Sequence, residues 1–464
     1  MSLRTALLAA LLGAALTTPA AAQDFAVTGA TVVLGDGSEP IANGTVIVRA
    51  GKIAEAGAGI AVPAGMATID GTGKWVTPGL FSAVTDLGLW DVEAVDESND
   101  TEAAHSPFSA ALDVAPAINS ESQNIAIARA GGITRATVTP APANSIFAGQ
   151  GALIDMGADR QAVMRPRAFQ LVELGEAGGQ LAGGSRVAAH ALFRNALREA
   201  RDYGQRSAIP GASARGGAAR AVSDAGDDIP FDPRLTDDPA DRGSDVLLTR
   251  FDAASLIPVV NGQQTLYVDV DRAADILAAL DLRTEFPKLK LVIVGAAEGW
   301  LVADQIAASG VPVLAQALLD LPARFESIAA TQSNVGRMHK AGVKVALGGF
   351  IGTSSYPRWA PQLAGNLVAL NRLPGATGLT WGEAFASISS IPAEISGLGG
   401  VAGVLKPGAF GDVVIWDGDP LELSSAPVTV YIDGIQQPLE NHQTRLRDRY
   451  RTPTEGALPK AYDR

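Results

Sequence analysis

The chain contains no cysteine. That excludes disulfides, a thiolate nucleophile and thiolate ligands to a metal. Histidine is nearly as scarce: His105, His190, His339 and His442 are the only 4 in 464 residues, few for a multi-histidine metal site. Positive charge is also short, with 36 Lys and Arg against 49 Asp and Glu and a net charge of −13. A surface this acidic repels phosphate backbones and argues against nucleic acid as a partner. Past the N-terminus no apolar run reaches the roughly 20 residues that a bilayer span needs. The chain also lacks a G-x-S-x-G nucleophile elbow, an H-E-x-x-H helix and a G-x-x-x-x-G-K-[ST] phosphate loop, so the common serine, zinc and nucleotide chemistries leave no trace.

What is present begins with an export signal. Arg4 supplies a positive start, Ala6 to Leu16 an apolar core, and Ala20-Ala21-Ala22 a small-residue cleavage site before Gln23. The core is too short for a membrane anchor, so residues 1–22 predict a secreted protein, most simply in a bacterial periplasm. Apolar residues make up 47% of the chain, ample for a large core.

Residues 23–75 read as short strands, with Ala30 to Leu34, Gly44 to Arg49, Lys52 to Ala56 and Ala67 to Asp70 separated by turn residues. The far end reads the same way, with strands at Asp412 to Trp416 and Val428 to Ile432. A few strands at one end cannot make a stable core alone. The two ends, 23–75 and 401–440, are therefore expected to combine into a small β-sandwich. Between them, residues 76–400 alternate aliphatic strands (Ile133 to Val138, Leu289 to Val294, Val311 to Leu314, Val343 to Leu347) with helical runs (Arg186 to Tyr203, Arg272 to Leu280). Such alternation predicts a parallel sheet closed as an α/β (β/α)8 TIM barrel. Residues 205–247, rich in Asp, Gly and Pro, read as a loop on the barrel, and 441–464 as a charged tail.

The run Val76-Thr77-Pro78-Gly79-Leu80-Phe81-Ser82-Ala83-Val84-Thr85-Asp86 resembles the strand that opens the barrel of amidohydrolase-superfamily enzymes, T-P-G-hydrophobic-hydrophobic-D-x-H-x-H. Lys406-Pro407-Gly408-Ala409-Phe410-Gly411-Asp412 is similar to that family's K-P-G-x-x-x-D signature. The whole looks closest to exported, imidazolonepropionase-like members. The resemblance implies hydrolysis of C–N bonds in non-peptide or cyclic amides by a metal at the C-terminal mouth of the barrel. The metal makes hydroxide from water and polarises the carbonyl.

Carried over position by position, the family's metal ligands fall on Val84 and Asp86 (first strand), Glu176 (fourth), Asp269 (fifth), Gly295 (sixth) and Phe350 (eighth). Valine, glycine and phenylalanine side chains donate nothing to zinc. The catalytic candidates left by the resemblance are Asp86, Glu176 and Asp269; His105, Arg135, Asp271 and Glu298 are candidate substrate-binding residues. No metal ligand is assigned. Solvated scaffold carboxylates, a hard divalent cation (Ca²⁺, Mg²⁺ or Mn²⁺) on oxygen donors, and metal-free acid/base work by a carboxylate pair with split pKa values all stay open. Two functions follow. One is a degenerate, pseudoenzyme-like barrel that binds a small-molecule ligand, as a homo-oligomer or paired with an active relative. The other is an active hydrolase with a rebuilt carboxylate site.

Overall fold

The computed structural model describes residues 22–92, 95–207, 247–351 and 356–451. The core of the expected signal, the loop 208–246 and the tail beyond 451 lie outside the described residues. Among the described residues no helix is long and apolar enough to cross a membrane.

The N-terminal strands are β1 (Phe25–Val32), β2 (Ile41–Arg49), β3 (Lys52–Ala58), β4 (Ala67–Asp70) and β5 (Trp75–Pro78). The barrel follows with β6 (Leu80–Thr85), β7 (Ile133–Val138), β8 (Phe147–Asp155), β9 (Val163–Glu173), β10 (Thr265–Val270), β11 (Leu291–Gly295), β12 (Val313–Ala315) and β13 (Val345–Phe350). The chain then returns through β14 (Val413–Trp416), β15 (Pro427–Ile432) and β16 (Ile435–Gln436). The two chain ends interleave in one 8-stranded sheet, ordered β16-β15-β14-β5-β1-β2-β3 with β4 also paired to β1. Its core is Phe25, Val27, Val46, Val48, Ile53, Val76, Val413, Ile415 and Tyr431. Valine and isoleucine dominate, as a pleated, half-buried surface favours.

The barrel closes in the order β10-β11-β12-β13-β6-β7-β8-β9, confirming the expected architecture with one departure. β8 runs antiparallel to both β7 and β9, whereas the sequence had suggested strand–helix alternation throughout. The cause is connection length. Residues 139–146 and 156–162 join these strands, and a parallel crossover needs a dozen residues or more. Elsewhere helices such as Ala273–Glu285 and Asn334–Lys340 make the crossovers.

Arg135 was expected near the substrate, and the structure corrects this. It is the third residue of β7, level with Phe81 near the start of β6, so it lies towards the floor of the barrel and not at its mouth. It is 1% exposed. Its Nε and Nη2 donate to the two carboxylate oxygens of Asp412 at 2.8 and 3.1 Å, and Nη2 donates to Asp433 at 2.8 Å. The guanidinium sits 3.8 Å from the centre of the Phe410 ring. Burial alone would lower its pKa; the charges of Asp412 and Asp433 more than reverse this. Removing one partner of a buried pair strands the other charges. Arg135→Met should therefore destabilise the fold by roughly 3–5 kcal/mol, read as a lowered urea midpoint. A loss under about 1 kcal/mol would show that the clamp is dispensable.

Candidate active site

The period of two along a strand sets which side chains enter the barrel. In-register pairing puts Leu171 of β9 beside Tyr267 of β10 and Val292 of β11, and one step higher puts Glu173 beside Asp269 and Val294. The lower layer is apolar. Tyr267 stacks on Phe169 with ring centroids 4.3 Å apart, packed with Leu171, Val292, Leu314 and Ala346. The step above it turns acidic at the C-terminal ends of β9 and β10, where active sites of this architecture sit.

Loops secure most of these carboxylates. Glu173 Oε1 accepts the Gly175 N–H at 2.7 Å, and Asp271 Oδ1 accepts the Ala297 N–H at 3.0 Å. Glu326, 1% exposed, accepts the Glu176 N–H at 2.5 Å, Arg186 Nη2 at 3.1 Å and Arg324 Nη1 at 3.1 Å. Glycines make the crowding possible. A Cβ on Gly295 (φ +85°) would stand 2.7 Å from Asp271 Oδ1 and 3.1 Å from Asp269 Oδ1. One on Gly175 would stand 2.6 Å from Glu326 Oε2 and 2.9 Å from Glu173 Oε1. Asp269 and Asp271 thus approach the space that a side chain at position 295 would fill.

Like charges this close in a poorly hydrated pit favour protonation. Glu173, Asp269 and Asp271 keep only part of their surface in solvent. Burial raises Asp269 well above the usual carboxylate range; Glu173, Asp271 and Glu326 push it further, and Arg324 opposes them. Burial lifts Glu173 to about 7, reduced by the Gly175 N–H and increased by Glu326 and Asp271. Asp271 is raised by burial and by Glu326, against the Ala297 N–H and Arg324.

Of the seven residues singled out from sequence, Asp269 and Asp271 stand together in this cluster. Glu176 opens the helix Glu176–Leu181 at the rim, where its carboxylate lies 3.6 Å from Arg186. Asp86 lines a different cavity of about 360 Å³, with Trp90, Tyr356, Arg358 and His442; none of the other mouth carboxylates borders it. The three expected catalytic carboxylates are therefore not gathered at one point. Glu298 is used structurally, its two oxygens accepting the Ala273 and Ala329 N–H groups, each at 3.1 Å. His105 is an exposed loop residue. Glu173, Glu326 and Arg324 were missed. Glu173 could have been found by parity, since it continues the inward phase of Phe169 and Leu171.

The donors present do not fit the family's metal. Val84 and Phe350 are buried apolar side chains, Gly295 has none, and among the described residues no three His, Asp or Glu side chains are grouped as metal ligands would be. Val84 also holds φ +59°, costly for a β-branched residue, by about 1–3 kcal/mol. Its N–H is held by Thr137 Oγ1 at 2.8 Å. The histidines lie elsewhere: His190 Nε2 is 3.7 Å from Asp275, and His339 Nε2 is 3.0 Å from Glu383.

The acidic pit makes a stability prediction. Folded Glu173 titrates near 7 against an ordinary value of 4.5, so the folded state holds the proton more tightly. Its contribution is complete below about pH 4.5 and is lost as pH rises through 7. Glu173→Gln should be more stable than wild type at pH 8 by roughly 1–3 kcal/mol, after discounting partial exposure, and equal to it at pH 4. Denaturant unfolding at both pH values tests this; the same difference at both would refute it.

Residues 266–436 match the sequence profile of the amidohydrolase family, from β10 through β16. An imidazolonepropionase of Ralstonia nicotianae is 29% identical over 411 residues, 84% of this chain and 90% of that protein. The amidohydrolase tasK of Hapsidospora irregularis is 45% identical over 60 residues, a match spanning 13% of this chain and only 6% of that protein's length. The crystal structure of an amidohydrolase from Thermotoga maritima covers 89% of this chain and 99% of its own at a TM-score of 0.71 and 22% identity, which shows the shared fold. The profile match and the imidazolonepropionase match support the amidohydrolase superfamily.

Proposed function

We propose that this chain, on the amidohydrolase barrel that the matches support, hydrolyses a C–N bond of a small non-peptide or cyclic amide with carboxyl groups in place of a metal. The observation that carries the reading is the in-register placement of Glu173 against Asp269 at the mouth, with Asp271 beside Gly295. The two carboxyls differ in their hold on a proton: Asp269 is raised well above the ordinary value, and Glu173 sits near neutrality. That split suits one group to act as acid and the other as base.

In the proposed reaction a water oxygen adds to the amide carbon while its proton passes to Glu173. Asp269 gives its proton to the amide nitrogen as the C–N bond breaks, so an amine and a carboxylic acid leave. Transfer of the proton from Glu173 to Asp269 restores the start. Arg324, hydrogen-bonded to Glu326, supplies positive charge beside the developing oxyanion. The N-terminal signal supports action outside the cytoplasm, in a bacterial periplasm.

A second reading is favoured by Val84, Gly295 and Phe350, which leave three family ligand positions without donors. On it the barrel is degenerate and binds a small ligand without turnover, alone or beside an active relative. Hydrolysis of N-acyl amino acids, dipeptides and cyclic amides by the pure protein separates the two. The hydrolase reading expects turnover that resists chelators and falls at least about 100-fold in Asp269→Asn and in Glu173→Gln. Turnover unchanged in both variants, or a stoichiometric transition metal required for it, would overturn the carboxyl mechanism. Saturable binding with no turnover would favour the degenerate barrel.

A further inference from the structure

We propose that the opposite end of the barrel carries a second site, for a small phosphorylated compound. A cavity of about 290 Å³ opens there between the first half of β9, the start of β10 and the residue before β11. Three cationic side chains border it: Arg165, Arg167 and Lys290. The chain as a whole carries a net charge of −13, so this wall is a local concentration of positive charge. Arg167 holds a carboxylate, Asp113, at 2.9 Å. Arg165 spends one Nη2 bond on the Ser396 carbonyl at 2.7 Å. Among the described residues neither Arg165 nor Lys290 forms an ion pair with a carboxylate. Like charges around one cavity repel until an anion enters.

A hydroxyl in the same wall points independently to a ligand. Ser396 is 6% exposed, borders the cavity, and its Oγ has no hydrogen-bond partner at proper geometry. The nearest phenol, Tyr267, lies close enough for the Ser396 hydroxyl to ease its ionisation, although burial pushes Tyr267 up to about 12. The Ser396 hydroxyl meets the Tyr267 phenol only at poor geometry, and a phosphoryl oxygen would offer it a better-placed acceptor. The turn that carries Ser396 is shaped to receive Arg165. Gly397 holds φ +85°, a conformation that favours glycine, and the guanidinium of Arg165 lies close against it, with Nη2 3.2 Å from where a Cβ would stand. Guanidinium, ammonium and hydroxyl donors around a single concavity suit a tetrahedral dianion. Ile395 and the edge of the buried Tyr267 ring form the apolar part of the wall, against which an organic body would lie.

The test is calorimetric titration of the full-length protein at low ionic strength with inorganic phosphate and with phenyl phosphate. The expected result is saturable binding of both, several-fold tighter for phenyl phosphate, with sodium chloride at equal ionic strength silent. Arg165→Gln and Lys290→Gln, both at exposed positions that leave folding intact, should each weaken binding at least 10-fold, and Ser396→Ala about 3-fold. Non-saturable binding, an equal effect of chloride, or wild-type affinity in both charge variants would overturn the site. Equal affinity for the two phosphates would keep the anion site and overturn the organic ligand.

Discussion

A guanidinium buried near the floor of the barrel requires anions, and the chain supplies them from its far end. Arg135 lies on the second barrel strand, while Asp412 and Asp433 follow it by nearly the length of the barrel. Burial without them would leave a charge in a poorly polarisable medium at a cost of several kcal/mol. The need fixes topology. β14 must return to pair with β5 in the register Val413↔Pro78, which brings Asp412 beneath β7. The same return lets the Asp412 carbonyl accept the Gly79 N–H at 3.0 Å, at the point where β6 enters the barrel. The ion cluster therefore ties sheet to barrel, beside the apolar packing of Val414, Trp416, Val430 and Ile432 against Leu80 and Ile133.

This explains why two short motifs, far apart in sequence, were legible. The Thr77-Pro78-Gly79 run and the Lys406-to-Asp412 run touch each other. They meet where the Gly79 N–H donates to the Asp412 carbonyl; nearby, Trp416 Nε1 donates to Thr77 Oγ1 at 3.0 Å, and the Gly408 and Ile53 N–H groups donate to the Ile53 and Ala409 carbonyls at 2.9 Å each. Motifs defined by backbone geometry and one buried acid survive as readable text because few other residues satisfy them. Aliphatic strands were legible for a similar reason: Ile133–Val138 and Ala67–Asp70 fall where valine, isoleucine and threonine concentrate. The direction of β8 was not legible. Side-chain period is the same in parallel and antiparallel strands, and only the short connections on either side of β8 distinguish them.

The candidate site was half legible, and the failures share a cause. Family spacing drew attention to Glu176, but the helix Glu176–Leu181 begins there and turns its carboxylate towards Arg186. Strand parity points three residues earlier, to Glu173, because β9 is still extended there. Asp86 follows Val84, whose left-handed backbone breaks the simple alternation that would place both residues by parity. Glu326 and Arg324 lie at a single 3-10 turn (Phe325–Ser327) in the long connection beyond β12, too short for any period to connect sequence to direction. Position on a strand could be read, whereas position on a loop had to be seen.

Glycine at 295 and the crowded carboxyls are linked by geometry. An imidazole at the end of β11 would need the space that a side chain at 295 occupies, and that is the space Asp269 and Asp271 approach. With glycine there, the two carboxylates come together without steric cost, but electrostatics then opposes both being charged. A cation or a proton can relieve the conflict. The donors for a family-type metal are absent at Val84, Gly295 and Phe350, and Arg324 offsets the negative charge only in part, since both Glu173 and Asp269 remain raised. Proton retention is one such route, and its midpoint near neutrality at Glu173 is where a group can both accept and release a proton. On the proposed hydrolase reading, glycine at 295 is what lets the two carboxyls approach closely enough for acid–base chemistry at the mouth.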